Sequence, residues 1–418
     1  MNKREEASLM PKLRFPDFRK MAEWERRRIG DFLKESRLPG SRGNVAKKLT
    51  VKLWGNGVFG KKESIQGSIN TQYFQRKSGQ FIYSKLDFLN QAFGVISPDL
   101  EGFESTVDLP CFDIGSGLIP GFLLEYVKRK EFYEKLGETA DGSRKARRIH
   151  AETFQSFSLV LPLPAEQKKI ADCLSSLDEL IAAQIHKVEA LKTHKKGLMQ
   201  QLFPCEGETQ PRLRFHAFDS APAWAIENLE DLAKRGSGHT PGKSFPEYYG
   251  GGVKWVSLAD SKRLDAGFIS ESETEISELG IKKSSAVLHP AGTVLISRDA
   301  GVGKSAVMAV PMAVSQHFIV WVCDGQKLSN WFLYYLLQLM KPIFERIATG
   351  STIKTIGLPF FKSLCIAVPS LSEQQRIADC LKSLDEVITA AAQELETLKT
   401  HKKGLMQQLF PSADAVEA

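Results

Sequence analysis

The sequence predicts an α+β protein with two domains of mainly antiparallel sheet and short helices, each domain followed by one long helix. One helical segment occurs twice, and its apolar residues follow a 3.5-residue period. The segments before each copy hold short apolar runs broken by Gly, Pro and Asn, which indicates short strands. The chain has 418 residues, 42% hydrophobic and 25% charged, and these values are typical of a globular protein with several domains.

The repeat is a 40-residue segment that defines the domain boundaries. Residues 165–204 recur at 372–411, an offset of 207, and 28 of the 40 positions are identical. A weaker repeat opens each half, where PKLRF at 11–15 returns as PRLRF at 211–215. The predicted order is a first domain (1–164), a central helical spacer (165–204), a second domain (205–371), a C-terminal helical spacer (372–411) and a tail (412–418).

Both copies of the repeat are predicted to be helices of roughly 57 Å, because an α-helix rises 1.5 Å per residue. Apolar residues at 4,3 spacing are typical of a coiled coil, and Ser372 with Gln375 is predicted to form a capping box at the second helix start. We expect the helices to pack as an antiparallel coiled coil, a rigid spacer in a pseudo-twofold tandem repeat; alternatively, each helix only caps its own domain. The residues expected at the helix contacts are Ile170, Leu174, Leu177, Ile181, Leu191, Leu198, Ile377, Leu381, Leu384, Ile388, Leu398 and Leu405.

The two domains differ in sequence but share a pattern. Residues 78–85 and 291–298 each contain a turn glycine, a short β-type run, a serine and a final cation. Each domain then continues with a helical segment, a Gly-Ser turn and a basic or hydroxyl-rich stretch. Core packing is the predicted role of Trp54, Trp255 and Tyr249, since large aromatic side chains mostly contribute buried area.

The charge of the chain is concentrated in the first domain. Residues 1–164 contain 28 Lys+Arg and 20 Asp+Glu, whereas residues 205–371 contain 17 and 16, and the whole chain has a net charge of +7. Clustered cations attract DNA phosphates, and Arg, Lys and Thr side chains can hydrogen-bond base edges. The candidate DNA-contact residues lie at the ends of the matched strands and in the turns around them: Lys85, Arg144, Lys145, Arg147, Arg148, Thr240, Arg298, Lys304, Thr352 and Lys354.

The sequence contains no pattern that predicts catalysis. Residues 301–305 (GVGKS) look like the end of a phosphate-binding loop, but that motif requires glycine at position 298, where this chain has arginine. The six cysteines have neither metal-ligand nor redox-motif spacing, so we expect no metal site. Neither a signal peptide nor a membrane span is predicted, and we therefore expect a cytoplasmic, non-catalytic protein without a membrane partner.

Taken together, these motifs resemble the specificity subunit of a type I restriction-modification system along essentially the whole chain. The second domain has GHTP at 238–241, ISR at 296–298 and GST at 350–352, and the two repeated helices resemble the helical regions of that family. The first domain has LTVKLWG at 49–55 in place of a Gly-x-Thr-Pro opening, so it resembles a different recognition-domain subtype.

The resemblance implies a function for each part. Each recognition domain would read one half of a bipartite sequence in double-stranded DNA, and the helices would set the spacer. Two methyltransferase subunits would bind S-adenosylmethionine, two restriction subunits would use ATP and Mg²⁺, and this chain would hold no cofactor. Two alternatives remain open: an architectural coiled-coil DNA adaptor without sequence readout, and a divergent free-standing DNA methyltransferase or nuclease.

Overall fold

The computed structural model describes residues 9–62, 67–138 and 148–411. The chain forms two compact units: the first contains Met1–Ile185 and Gln393–Ala418, and the second contains His186–Ala392. The second unit is therefore continuous in sequence, whereas the first is assembled from two separate stretches of chain.

Up to residue 202 the described strands and α-helices are ten short strands, three short helices, one further strand and one long helix, in that order. The strands are β1 (Glu25–Arg28), β2 (Leu33–Glu35), β3 (Pro39–Arg42), β4 (Leu49–Val51), β5 (Val58–Gly60), β6 (Gln72–Gln75), β7 (Phe81–Tyr83), β8 (Phe93–Val95), β9 (Glu104–Ser105), β10 (Cys111–Ile114) and β11 (Ser158–Leu161). The helices are α1 (Pro120–Val127), α2 (Lys130–Glu138), α3 (Ala151–Ser156) and α4 (Pro164–Leu202).

The elements after residue 202 are strands and short helices, and they also end with one long helix. The strands are β12 (Ala225–Asn228), β13 (Ala233–Ser237), β14 (Tyr249–Val256), β15 (Phe268–Ile269), β16 (Thr274–Ile276), β17 (Val294–Ser297), β18 (Ser305–Met308), β19 (Ala313–Val314), β20 (Phe318–Cys323) and β21 (Cys365–Val368). The helices are α5 (Leu229–Leu232), α6 (Glu278–Lys282), α7 (Asn330–Leu339), α8 (Lys341–Ile347), α9 (Leu358–Lys362) and α10 (Leu371–Leu409).

The first unit is built around a four-stranded antiparallel sheet with the order β2-β10-β7-β8. Smaller antiparallel groups are β3-β6-β9, the hairpin β4-β5 and the pair β1-β11. The centre of the core is aromatic: neighbouring rings among Phe81, Tyr83, Phe112 and Phe154 have centroids 5.0 to 6.4 Å apart. Short strands suffice here because large rings bury much apolar area per residue.

The second unit is built around a five-stranded sheet with the order β13-β20-β17-β18-β15, beside a three-stranded sheet β16-β14-β19 and the pair β12-β21. In the described residues of this unit the strand pairs are antiparallel except β15-β18 and β14-β19. The predicted α+β class with mainly antiparallel sheet is thus confirmed.

The two long helices contribute to both units, and each unit contains one ion pair between them. In the second unit Lys195 Nζ lies 2.5 Å from Asp385 Oδ1, and in the first Lys402 Nζ lies 2.5 Å from Asp178 Oδ2. An offset of 207 converts each of these pairs into the other, with donor and acceptor helices exchanged. All twelve apolar positions expected at the helix contacts are buried or half-buried.

A repeated ion-pair network fastens the opening segment of each unit to a helix start. The Arg14 guanidinium donates two hydrogen bonds of 2.7 Å to the Glu166 carboxylate and others to the backbone carbonyls of residues 21 and 22. Arg214 makes the same contacts with Glu373 and with the carbonyls of residues 221 and 222. The weak PKLRF/PRLRF repeat therefore encodes a structural joint, a role that its sequence does not state.

The cap of the second long helix differs from the prediction. Helix α10 begins at Leu371, and the backbone N–H of Glu373 donates to Ser370 Oγ at 3.4 Å. Ser372 lies inside the first helical turn, so the predicted capping box of Ser372 and Gln375 is wrong. The reason is that Ser370 offers the same capping hydroxyl two residues earlier.

The Glu373→Gln substitution is expected to destabilise the second unit by about 3 kcal/mol, because it leaves a buried arginine without its charge partner. The Glu373 side chain is only 1% exposed and that of Arg214 12%. Urea denaturation followed by circular dichroism measures the loss. The matched control is Glu206→Gln in the Arg346 pair, whose side chains are both 65% exposed and which should contribute less than about 1 kcal/mol. Equal losses in the two variants would show that the buried network contributes no special stability.

Candidate nucleic-acid interface

Two loops of the second unit bring several predicted residues together. Arg298 follows β17 directly; its backbone carbonyl accepts a hydrogen bond of 3.0 Å from the N–H of Ile356. The N–H of Ala300 donates to the carbonyl of Lys354, and Asp299 forms a bridge with Thr355. The loop after β17 and the stretch that follows the Gly-Ser turn at 350–351 therefore lie side by side, although about fifty residues separate them in sequence.

These loops border an open cavity of about 490 Å³. Lys304, Thr352 and Lys354 line it together with Lys341. The Lys304 ammonium donates to the carbonyl of Ser261 at 2.9 Å, and Lys341 pairs with Asp265 at 2.9 Å. Thr352 and Lys354 are exposed. The cavity thus has two fixed cations in its wall and one exposed cation at its rim.

A third loop, between β19 and β20, completes this surface. The N–H of Arg298 donates to the carbonyl of His317 at 2.9 Å, and His317 Nδ1 lies 2.8 Å from Asp299 Oδ2. The Thr240 hydroxyl donates to Gln316 Oε1 at 2.5 Å, which joins the GHTP segment to the same loop. Gln316 and His317 are site residues that the sequence reasoning missed, because nothing in their local sequence marks them.

Arg298 is held rather than free. Its Nε lies 3.6 Å from Asp299 Oδ1, and its side chain is 20% exposed. Among the described residues, the buried Nε of Arg298 and Oδ1 of Asp299 have no hydrogen-bond partner. An arginine held beside a carboxylate in this way has a defined orientation, which bidentate recognition of a phosphate or a guanine edge requires.

Two aromatic side chains donate hydrogen bonds to the main chain of the segment that contains Thr240. The Tyr249 hydroxyl donates to the carbonyl of Pro241 at 2.6 Å, and Trp255 Nε1 donates to the carbonyl of His239 at 3.0 Å. Burial raises the pKa of the Tyr249 hydroxyl above its usual value. Trp255 is 7% exposed and Tyr249 half-buried, in agreement with the predicted packing role.

The first unit has a comparable cluster around Lys85, which follows β7. The carbonyl of Lys85 accepts a hydrogen bond of 3.0 Å from Ile149, and its N–H donates to the carbonyl of Asp108 at 3.0 Å. Arg148 lies on the same side, with Nη1 3.7 Å from Asp108 Oδ1. The remaining predicted residues of this cluster, Arg144, Lys145 and Arg147, lie outside the described residues.

The two clusters share one main-chain contact. Ile149 donates to the carbonyl of Lys85, and Ile356 donates to the carbonyl of Arg298, at 3.0 Å in both units. In each case the acceptor is the cation that ends a matched strand, and the donor follows the basic or hydroxyl-rich stretch. The structure thus places corresponding sequence motifs in corresponding contacts.

The predicted packing role of Trp54 is wrong. Its side chain is 64% exposed, at the turn of the β4-β5 hairpin. The prediction rested on the large apolar area of the indole, but the chain turns at this position and leaves the ring exposed. Within residues 9–62, 67–138 and 148–411, no helix is long and apolar enough to cross a membrane, and no group of three or more His, Cys, Asp or Glu residues is placed to hold a metal ion.

Comparison with known proteins identifies similar sequences among type I restriction specificity subunits. A sequence model of the family described as type I restriction modification DNA specificity domain matches residues 223–400. The type I restriction enzyme MjaVIII specificity subunit of Methanocaldococcus jannaschii is 24% identical over 421 residues, which cover 98% of this chain and 96% of that one. Two others from that organism, the MjaIX and putative MjaX specificity subunits, are 29% and 26% identical, and the chain spans only 44% and 66% of their lengths.

Solved structures share the fold. The type I restriction-modification system S subunit from M. genitalium is 14% identical, with a TM-score of 0.60 over 96% of this chain and 99% of that one. A chain from a structure of the assembly and conformational transition of the type I R-M system is 18% identical, with a TM-score of 0.58 over 94% and 97%.

The fold and the loops define a class of protein in which two α+β units each carry a cationic loop cluster and each contain part of both repeated helices. The matches of sequence and fold then make the assignment specific. Residues 223–400 match the family of type I restriction modification DNA specificity domains, and nearly the whole chain is similar to a type I restriction enzyme specificity subunit.

Proposed function

We propose that this chain reads a bipartite DNA sequence, one half with each unit, and thereby directs a type I restriction-modification complex to its sites. The observation that carries the proposal is a main-chain hydrogen bond that occurs once in each unit. The carbonyl of Lys85 accepts it in the first unit and the carbonyl of Arg298 in the second, so corresponding cations lie beside corresponding loops. Phosphate contacts fix the register of a protein on DNA, and base-edge contacts give sequence specificity. Each cluster combines exposed cations with side chains that can hydrogen-bond bases.

The proposed reading of the second half-site uses two kinds of contact. Exposed Lys354 beside Thr352 suits phosphate binding, because an exposed lysine side chain is accessible to a DNA backbone. Arg298 and Gln316, which their neighbours hold in place, suit base edges, since readout requires side chains of defined orientation. The unequal charges of the two domains, +8 for residues 1–164 and +1 for residues 205–371, also imply that the first half-site is the more phosphate-dependent.

For the helices we propose an antiparallel coiled coil that acts as the spacer between the half-sites, within a pseudo-twofold arrangement. The exchanged ion pairs Lys195–Asp385 and Lys402–Asp178 support it, because each helix supplies its earlier half to one pair and its later half to the other. Gln184 Nε2 also donates to Glu394 Oε2 at 2.8 Å, in the same antiparallel direction. The length of the helices would then set the length of the unspecified DNA between the half-sites.

The remaining roles belong to partner subunits. We propose that two methyltransferase subunits dock on this cytoplasmic chain and supply S-adenosylmethionine chemistry, and that two restriction subunits supply ATP- and Mg²⁺-dependent cleavage. The chain itself would recognise the DNA site and assemble the complex, and it would not catalyse a reaction. The similarity to type I specificity subunits supports this division of labour, and reconstitution from purified subunits tests it.

The test of DNA reading uses Arg298→Ala and Lys354→Ala in the full chain, with duplexes that carry the methylated site found by methylome sequencing. Arg298→Ala should weaken binding to that site about tenfold or more and relax specificity in one half-site, the effect of losing a bidentate base contact. Lys354→Ala should weaken all duplexes alike and lower the salt slope by about one.

The matched control for this test is Lys282→Ala. Lys282 is an exposed cation on α6 whose ammonium lies 3.9 Å from the carboxylate of Glu278. Its removal changes the net charge by the same amount and should leave binding within about twofold. A wild-type chain that binds random and cognate duplexes with the same affinity over a salt series would be an architectural adaptor, and the proposal would then be abandoned.

A further inference from the structure

The hairpin β4-β5 presents an exposed tryptophan in an uncommon backbone conformation. Trp54 has φ = +61°, a region that bulky residues rarely occupy, and its side chain is 64% exposed. Left-handed backbone costs an L-residue roughly 1–2 kcal/mol. Exposed apolar surface brings no compensating burial, so folding alone gives no reason to keep tryptophan here.

Neighbouring main chain holds this conformation in place. The N–H of Trp54 donates to the carbonyl of Asn90 at 2.7 Å, and the N–H of Gly55 donates to the carbonyl of Gln91 at 2.9 Å. Gln91 is itself left-handed, with φ = +56°. Residues 90 and 91 end the loop that begins at Lys85, so the tryptophan is fixed to the same loop that carries the candidate DNA cation. Strain that the surroundings enforce in this way is typical of functional sites.

The hairpin is also strongly basic. Residues 44–62 contain five lysines and no acidic residue. Lys47, Lys52, Lys61 and Lys62 are exposed, and Lys52 Nζ lies 5.0 Å from the centre of the half-exposed Phe59 ring. Cations interleaved with exposed aromatic rings fit a nucleic acid, whose phosphates and base faces alternate along the chain. Protein interfaces, in contrast, are depleted in lysine at their centres.

We propose that Trp54 contacts the DNA of the first half-site by stacking its indole on a base, with the exposed lysines of residues 44–62 on the adjoining phosphates. The inference rests on the proposed DNA-reading function and adds a specific contact to it. Its ligand is duplex DNA with a locally unstacked base step, because an indole can reach a base face only where stacking is interrupted. The exposed, pre-oriented ring would meet such a step without reorganising the hairpin.

The test compares the wild-type full chain with Trp54→Gly on the cognate duplex. Glycine accepts the left-handed backbone, so this variant removes the ring and relieves strain, and its melting temperature should not fall. Affinity for the cognate duplex should fall roughly tenfold, the size of one lost base–aromatic stack. Trp54→Phe should recover part of the loss. A 2-aminopurine scan of the first half-site should show one position whose fluorescence rises on binding only when residue 54 is aromatic.

The control is Met21→Ala, an exposed apolar residue of the same unit (48% exposed) outside the hairpin, which should bind like wild type. Unchanged affinity and unchanged 2-aminopurine signals in Trp54→Gly would overturn the proposal. So would a variant that binds DNA normally but no longer assembles with methyltransferase subunits, since Trp54 would then be a protein contact. If wild type itself fails to prefer the cognate duplex, the proposed DNA-reading function fails first, and the two failures remain distinguishable.

Discussion

Exchanging residues 29–157 for the corresponding segment of another specificity subunit is expected to change one half of the recognised sequence completely and leave the other half unchanged. The cut points follow β1 and precede β11, so the exchange retains this strand pair and the joint of Arg14 with Glu166. It removes Lys85, Arg148 and the Trp54 hairpin together. A donor with a large aromatic residue in place of Phe122 keeps the contact with Phe410, whose ring centre lies 5.4 Å away.

Methylome sequencing of cells with the exchanged chain and its methyltransferase subunits measures this result. The reciprocal control exchanges residues 229–364, which lie between the paired strands β12 and β21 of the second unit, and should change the other half only. Altered bases in both halves after either single exchange would contradict independent reading by the two units.

Removing one heptad from each long helix is expected to shorten the tolerated spacer by about three base pairs while both half-sequences stay the same. Deletion of 185–191 and 387–393 removes seven residues from each helix, about 10 Å at 1.5 Å per residue. Base pairs are spaced 3.4 Å apart. The deleted segments lie between the ion pairs Lys195–Asp385 and Lys402–Asp178, so both pairs can still form.

Deleting the heptad from only one helix serves as the control. That variant shifts one helix against the other by two turns and separates the charged partners, so it should lose stability and assemble poorly. Methylation of a library of sites with different spacers reports the preferred length for each variant. A double-deletion protein that still methylates only the original spacing would exclude the helices as the ruler.

The repeat made the α+β class and the helices predictable, because an identity of 28 in 40 positions and a regular apolar period are signals within one stretch of sequence. Strand ends such as Lys85 and Arg298 were also visible as local motifs. Contacts between distant stretches of the chain could not be predicted from local motifs. The hydrogen bond between Thr240 and Gln316, for example, depends on which loops the sheet places side by side. Single-residue φ values are equally invisible, and nothing in the local sequence showed that the chain turns at Trp54 and exposes its ring.

The wrong prediction of the capping box at the start of α10 has a local cause. Ser370 and Ser372 both provide a hydroxyl near the start of α10, and only the backbone geometry decides which one accepts the hydrogen bond. The function of the PKLRF/PRLRF repeat escaped prediction for a similar reason. A short motif gives no sign that its arginine reaches a glutamate more than 150 residues away.

The discontinuity of the first unit has a consequence for synthesis on the ribosome. The second unit can complete its fold once residue 392 has emerged, because all of its chain lies between residues 186 and 392. The first unit, although translated first, must wait for the end of α10: Leu409 and Phe410 are 2% and 1% exposed, and they pack in the core that contains Trp24. The half of the protein that is made earliest is therefore the last to close, and until then its aromatic core remains open to chaperones and proteases.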